Sequence, residues 1–187
     1  MRGKRPALPG TPGPQSSDVD SMIRVDHAGE FGALRIYAGQ LAVLSRNPNA
    51  AASTDAIKRM AEQERTHFDA LDKLVKDRAV RPTALEPVWH LAGFALGAAT
   101  ALLGEKAAMA CTVAVEDVID EHYAKQIERL GDSDPELKSA LVKFHQDECE
   151  HRDEALQHGA AEAPGYELLT SAIRLSCRIA ISLSERV

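Results

Sequence analysis

One arrangement occurs twice in this chain. A lone glutamate is followed, about one helical hairpin later, by Glu-x-x-His. Glu30 in RVDHAGEFGALRIYAGQL precedes Glu64 and His67 in MAEQERTHFDAL, and Glu116 in TVAVEDVIDEHYAKQI precedes Glu148 and His151 in FHQDECEHRDEAL. The separations are nearly equal, 34 residues from Glu30 to Glu64 and 32 from Glu116 to Glu148. Residues i and i+3 share one face of an α-helix, so both side chains of each Glu-x-x-His can grip one centre. Four carboxylates and two imidazoles delivered from four helices form a site for two iron or manganese ions inside a bundle. Carboxylates bridge hard cations, and one imidazole per metal adds a nitrogen ligand suited to iron. Four negative charges cancel those of two divalent ions, which makes burial of the ions tolerable. On this reading Glu64 and Glu148 bridge the metals, while Glu30 and Glu116 bind terminally.

A single Glu-x-x-His is common on solvated helix faces and would mean little alone. Two copies, each preceded by a glutamate at matching distance, are not explained that way. The repeat also runs past the ligands: EFGALRIYAGQL and EDVIDEHYAKQI share Glu, then Tyr seven residues later, then Ala and Gln at the same offsets. Seven residues is nearly two turns, so Tyr37 and Tyr123 fall on the faces that carry Glu30 and Glu116, about 10 Å along each helix.

A chain of 187 residues suits one domain with a real core. Aromatic residues make up only 4% while Ala and Leu abound, which favours close-packed helices over sheets. The net charge of −6 gives no sign of nucleic-acid binding. The three cysteines, Cys111, Cys149 and Cys177, form no Cys-x-x-Cys, which argues against a zinc or rubredoxin-type site and against a disulfide framework. They are expected to be buried thiols in a reducing compartment, with Cys149 turned off the metal-facing side of its helix.

Residues 1–20 hold four Pro and three Gly and read as a disordered tail, leaving 21–187 as the folded domain. The tail lacks the long apolar stretch of a secretory signal. Helices are expected from about Met22 to Arg46, from a cap at Ser53 or Thr54 to Asp77, and from Glu86 to Leu103. Three more are expected from Glu105 to Leu130, from a cap at Ser133 or Asp134 to Gly159, and from Pro164 to Arg186. The fold class is therefore all-α: a four-helix bundle of the ferritin-like type with two additional hydrophobic or amphipathic helices.

Those two helices exceed what a small bundle needs. The 18 residues from Pro87 to Gly104 contain no Asp, Glu, Lys or Arg. As a helix they fall short of the ~30 Å hydrocarbon core, so a segment that dips into one leaflet or covers the bundle is expected rather than a span. In the last helix Ser171, Arg174, Arg178, Ser182 and Glu185 form a narrow polar stripe, with Leu168, Leu169, Ile173, Ile179, Ala180 and Leu183 around the rest. Together the two segments suggest a membrane-facing surface. Arg174 and Arg178 would then lie near anionic headgroups.

From about Ile23 to Val187 the chain resembles the demethoxyubiquinone hydroxylases, di-iron monooxygenases of ubiquinone biosynthesis. The resemblance rests on IRVDHAGEFGALRIYAGQ, EQERTHF, RPTALEPVWHLAGFALGAATALLG, AMACTVAVEDVIDEHY, DECEHRDEAL and CRIAISLSERV. All six positions, Glu30, Glu64, His67, Glu116, Glu148 and His151, carry the residue types of that family's metal ligands. The resemblance implies two iron ions, O₂ as co-substrate, a polyprenyl demethoxy-benzoquinol or quinone as substrate, and electrons ultimately from NADH. With no Rossmann glycine fingerprint and no iron–sulfur cysteines, the chain has no evident reductase domain. The resemblance also implies that His122 and Tyr123 relay electrons or protons; His122 can equally be a partly buried histidine with a local partner. Asp26, four residues before Glu30, is expected either to hydrogen-bond a ligand imidazole or to be an ordinary helix-surface aspartate. A membrane surface is an implied partner, as is a ubiquinone-biosynthesis complex with a lipid-binding member, with Trp89, Phe94, Leu96, Leu102 and Leu103 as the entry surface for the polyprenyl tail. The short tail suits the cytoplasmic face of a bacterial inner membrane, the matrix face of the mitochondrial inner membrane being the alternative. A ferritin- or rubrerythrin-like protein that binds iron or scavenges peroxide is the competing reading of the same ligands.

Overall fold

The computed structural model describes residues 16–186, which hold six α-helices and no strand. They are α1 (Ser16–Leu44), α2 (Ala51–Asp77), α3 (Glu86–Leu102), α4 (Glu105–Leu130), α5 (Pro135–Gln157) and α6 (Tyr166–Ser184), with short 3-10 turns at Pro48–Ala50 and Ala160–Glu162. The all-α, ferritin-like bundle with two extra helices is the observed architecture. The helices α1, α2, α4 and α5 form the bundle. The other two lie outside it: α3 packs chiefly on α1, and α6 on α4. The duplication thus extends to the outer helices, since α1–α2–α3 and α4–α5–α6 repeat one pattern of packing.

Local chemistry explains most of the boundaries. Asp134 caps α5 by accepting from the Leu137 N–H at 3.1 Å, and Pro135 occupies the first turn, where no donor is needed. Gly131 ends α4 with φ +51°, a conformation cheap only for glycine. Two expectations fail. The first helix begins at Ser16 rather than Met22, so residues 16–20 are helix and not tail; residues 1–15 lie outside the described residues. At α2, Ser53 and Thr54 are not caps. Asn47 caps the preceding 3-10 turn, which runs straight into Ala51, and the buried Ser53 instead donates to Glu105 at 3.1 Å.

Small residues bring α3 onto α1. A Cβ built at Gly97 would overlap the carbonyl oxygen of Ile36, and one at Gly39 would overlap that of Phe94. Glycines that weaken α3 as an isolated helix therefore allow backbone contact with α1. Inside the bundle, two apolar plugs flank a polar layer. One contains Leu44, Ile57, Met60 and Met109; the other contains Ile23, Leu71, Leu137 and Phe144. On each bundle helix the repeated glutamates and histidines fall between these plugs.

Candidate metal centre

The polar layer draws on four helices. Glu30, Glu64, His67 and Glu148 present ligand atoms within 4.8 Å of one another, as do Glu64, Glu116, Glu148 and His151, and all six residues are buried. Glu64 and Glu148 belong to both groups; Glu30 and Glu116 belong to one each. His67 Nδ1 lies 3.2 Å from Glu148 and 3.6 Å from Glu30, and His151 Nδ1 lies 3.2 Å from Glu64 and 3.1 Å from Glu148. Both imidazoles therefore turn Nδ1 into the cluster and Nε2 out of it.

The outer contacts cross between the two repeats. Tyr37 of α1 donates to Glu116 at 2.9 Å, and Tyr123 of α4 donates to Glu30. Nε2 of His67 meets Asp147 at 2.9 Å, and that of His151 meets Gln63 Oε1 at 3.1 Å. Asp147 and Gln63 each stand one residue before the glutamate of a Glu-x-x-His. Asp26 does not hold a ligand imidazole; it bonds His122 at 3.0 Å and Gln126 at 2.9 Å. His122 has Asp26 and Gln126 as its polar partners and none of the six. It opens onto a polar cleft of about 430 Å³ lined by Asp18, Ser21, Lys125 and Arg129 among others.

Without cations this cluster is electrostatically unsettled. Burial, reinforced by Glu64, pushes Glu30 up to about 8, and burial with Glu148 and Glu64 raises Glu116 well above the carboxylate range. Burial pushes the imidazoles down, but contacts with Glu148 and Glu64 outweigh it and bring His151 up to about 11; His67 is raised likewise. Glu30 Oε2, Glu64 Oε1, His67 Nδ1 and Glu148 Oε1 are buried without a hydrogen-bond partner. Such atoms are costly unless something neutralises them. Two divalent cations fit this donor set in charge, in number of ligands and in the oxygen-rich, two-nitrogen chemistry that suits iron.

A third group, Asp120, His145 and Cys149, is only half-buried, and Arg152 already pairs with Asp120 at 3.2 Å. Cys149 bonds Asp120 rather than facing the centre. Of the three cysteines only Cys111 is fully buried; Cys149 and Cys177 are partly exposed.

Between α1, α3, α4 and α6 lies a half-open apolar cavity of about 170 Å³, lined by residues that include Gly29, Gly32, Ile36, Val115, Ile119 and Cys177. It is lined by Gly29 and Val115, the chain neighbours of Glu30 and Glu116, and by none of the six cluster residues themselves. Its outer wall is α3 and α6. Trp89 lines it and donates to Ser184 at 3.0 Å, Leu96 also faces it, and Phe94 lies under Arg35. Trp89, Phe94 and Leu96 thus pack inward, and the outward positions are Val88, Leu91, Leu102 and Leu103, with Leu168, Leu175, Ile179 and Leu183 on α6. Arg174 is turned toward α4, whereas Arg178 stays exposed beside it. They pair with Asp117 at 2.7 Å and Glu121 at 3.3 Å on α4.

Residues 17–184 match the family described as ubiquinone biosynthesis protein COQ7. The chain belongs to this family. It is 52% identical over 180 residues to the 3-demethoxyubiquinol 3-hydroxylase of Rhodospirillum rubrum, covering 96% of this chain and 83% of the relative. It is 51% identical over 173 residues to the human mitochondrial NADPH-dependent 3-demethoxyubiquinone 3-hydroxylase, covering 90% and 78%. To the mitochondrial 5-demethoxyubiquinone hydroxylase of Saccharomyces cerevisiae it is 40% identical over 189 residues, covering 92% and 80%. In this COQ7-family chain, Gln63 and Asp147 were the residues missed from sequence. Their signal was their shared offset, one position before each Glu-x-x-His. Among the described residues no helix is long and apolar enough to cross a membrane.

Proposed function

We propose that this protein hydroxylates the ring of a polyprenyl demethoxy-benzoquinol or quinone with O₂ in ubiquinone biosynthesis, using two iron ions held by Glu30, Glu64, His67, Glu116, Glu148 and His151. The observation that carries this reading is the buried four-carboxylate, two-imidazole cluster with unpartnered ligand atoms, in a bundle that also holds an apolar cavity between α1, α3, α4 and α6. The names of the relatives, all hydroxylases of demethoxyubiquinone or its quinol, support the substrate and the reaction.

When bound, the irons supply the activation of O₂; one oxygen atom enters the ring and the other leaves as water, with two electrons and two protons consumed. The protein's own part is positional. The cavity walls hold the ring and exclude water, Tyr37 and Tyr123 keep Glu116 and Glu30 oriented, and the shared carboxylates keep the metals together. His122 and Tyr123 form the relay: Tyr123 touches the centre through Glu30, while His122 stands at the aqueous cleft with Asp26 behind it. A reduced nicotinamide is the electron source. NADPH appears in the name of the human relative, where the sequence pointed to NADH.

The outward leucines of α3 and α6 seat the bundle on a bilayer, from which a polyprenyl tail enters the cavity sideways. The site of action is the cytoplasmic face of a bacterial inner membrane, or the matrix face in a mitochondrion, within a biosynthetic complex that includes a lipid-binding partner. Iron storage or peroxide scavenging calls for neither the cavity nor the apolar outer face. Quinone mass spectrometry of a strain lacking the gene is the test: the demethoxy precursor accumulates and expression of this chain converts it. Unchanged quinones in that strain would refute the reading.

A further inference from the structure

The two halves of the centre match residue for residue until one looks at charge. Glu30 corresponds to Glu116, Tyr37 to Tyr123, Glu64 to Glu148 and His67 to His151. Even the amide contacts correspond: Gln126 donates to Asp26, four residues before Glu30, and Gln40 lies 3.5 Å from Thr112, four residues before Glu116. Three pairs break the match, each placing an ionisable group on the side of Glu30 and His67 where the other side has a non-ionisable residue. The outward nitrogen of His67 meets the carboxylate of Asp147, while that of His151 meets the neutral amide of Gln63. Asp26 stands where the other half has Thr112, and His122 where it has the buried Ile36.

We propose that Asp147 and Gln63 make the two metal positions unequal, so that the position held by His67 is the tighter one and the position held by His151 the weaker. The inference rests on the metal reading above. A carboxylate accepting from the far N–H of a ligand imidazole pins the ring and raises its basicity at the metal-facing nitrogen; an amide oxygen in the same place pins it without the charge. Because the terminal glutamates each receive one tyrosine O–H and the shared glutamates serve both positions, those contributions cancel between the halves. The histidine partners do not cancel. Asp147 and Gln63 are positioning residues that act through His67 and His151.

Single-position proteins isolate the effect. The full-length chain with His151→Ala keeps the His67 position, and that with His67→Ala keeps the His151 position. Anaerobic binding of iron(II) or cobalt(II), followed by calorimetry, is expected to be about 10–100-fold tighter in the first protein than in the second. Adding Asp147→Asn to the His151→Ala protein removes that advantage; adding it to the His67→Ala protein changes nothing; Asp147→Glu, which keeps the charge, recovers part of it. In the wild type, iron-57 added at one equivalent gives one Mössbauer doublet, and the second equivalent a different one. Equal affinities in the two single-position proteins overturn the proposal, as does equal loss from Asp147→Asn and Asp147→Glu, which would mark a purely packing role. A wild type that binds no metal brings down the metal reading itself, an outcome distinct from binding two metals equally.

Discussion

The inner and outer helices of this protein break the usual pattern of a globular domain in opposite ways. The inner four bury four carboxylates and two imidazoles in a layer between apolar plugs. The outer two leave Leu91 70% exposed, Leu102 75% and Leu168 79%. Buried charge and exposed apolar area are each unfavourable for an isolated chain in water. Each becomes favourable once its partner is supplied, cations inside and an apolar phase outside. The two regions meet at the cavity, which lies between α1 and α4 of the bundle and α3 and α6 outside it.

This contrast is broken most severely from the inside. Glu148→Ala removes a carboxylate common to both metal positions, so bound iron should fall from two per chain toward none, and hydroxylation should fall by more than the ~100-fold that loss of an outer contact costs. Metal analysis alongside product mass spectrometry checks it; a variant that keeps two irons would remove Glu148 from the ligand set. From the outside, Leu91, Leu102 and Leu168 changed together to Asp should cost about 1.5 kcal/mol or more of membrane affinity per residue, roughly a thousandfold in all. Liposome flotation and activity on a long-tailed quinone should drop together, while a short-tailed analogue is still hydroxylated and iron content holds. Flotation equal to wild type would show that another surface meets the bilayer.

Two smaller effects sharpen the comparison at its inner edge. His122→Ala and Tyr123→Phe should each slow turnover by about a hundredfold with the physiological reductant. Both irons should stay bound, and loss of metal from either variant would contradict the relay role. The pH dependence of metal uptake should be smaller still. In the metal-free protein Glu30 is pushed up to about 8 from an ordinary 4.5. Its contribution to stability is therefore present below about 4.5 and is lost as pH rises toward 8. Metal entry expels this proton together with those on His67 and His151, so affinity should rise by about tenfold per pH unit for each proton released, and less steeply above about 8, where Glu30 has no proton left to lose. Competition binding at pH 6, 7, 8 and 9 measures it; a flat profile would mean that Glu30 is already ionised.

Much of the inner region was legible because the repeat states it twice: Glu-x-x-His fixes one helix face, and the preceding glutamates fall at matching distances. The cap at Asp134 was equally plain, since Asp-Pro-Glu leaves little choice. The outer region was legible in composition but not in rotation. An arginine such as Arg174 looks the same in sequence whether it faces water or the acids of a neighbouring helix, and only packing against Asp117 decides. For the same reason Phe94 and Leu96 turned inward while Leu91 turned out, on a helix apolar nearly all round. Gln63 and Asp147 were hidden differently, as ordinary polar residues whose meaning lies in the opposite repeat.

That crossing of contacts also bears on synthesis. Tyr37 and Glu116 are 79 residues apart, Asp147 and His67 80, Gln63 and His151 88, and Tyr123 and Glu30 93. Neither repeat can finish its own half of the centre, and the first waits for groups that the ribosome adds much later. A nascent chain carrying only α1 and α2 displays Glu30, Glu64 and His67 but lacks Glu148, which belongs to both groups, and Tyr123 and Asp147, which bond Glu30 and His67. A cation bound by such a fragment would therefore be held weakly, and the complete donor set exists only once α5 has closed the bundle.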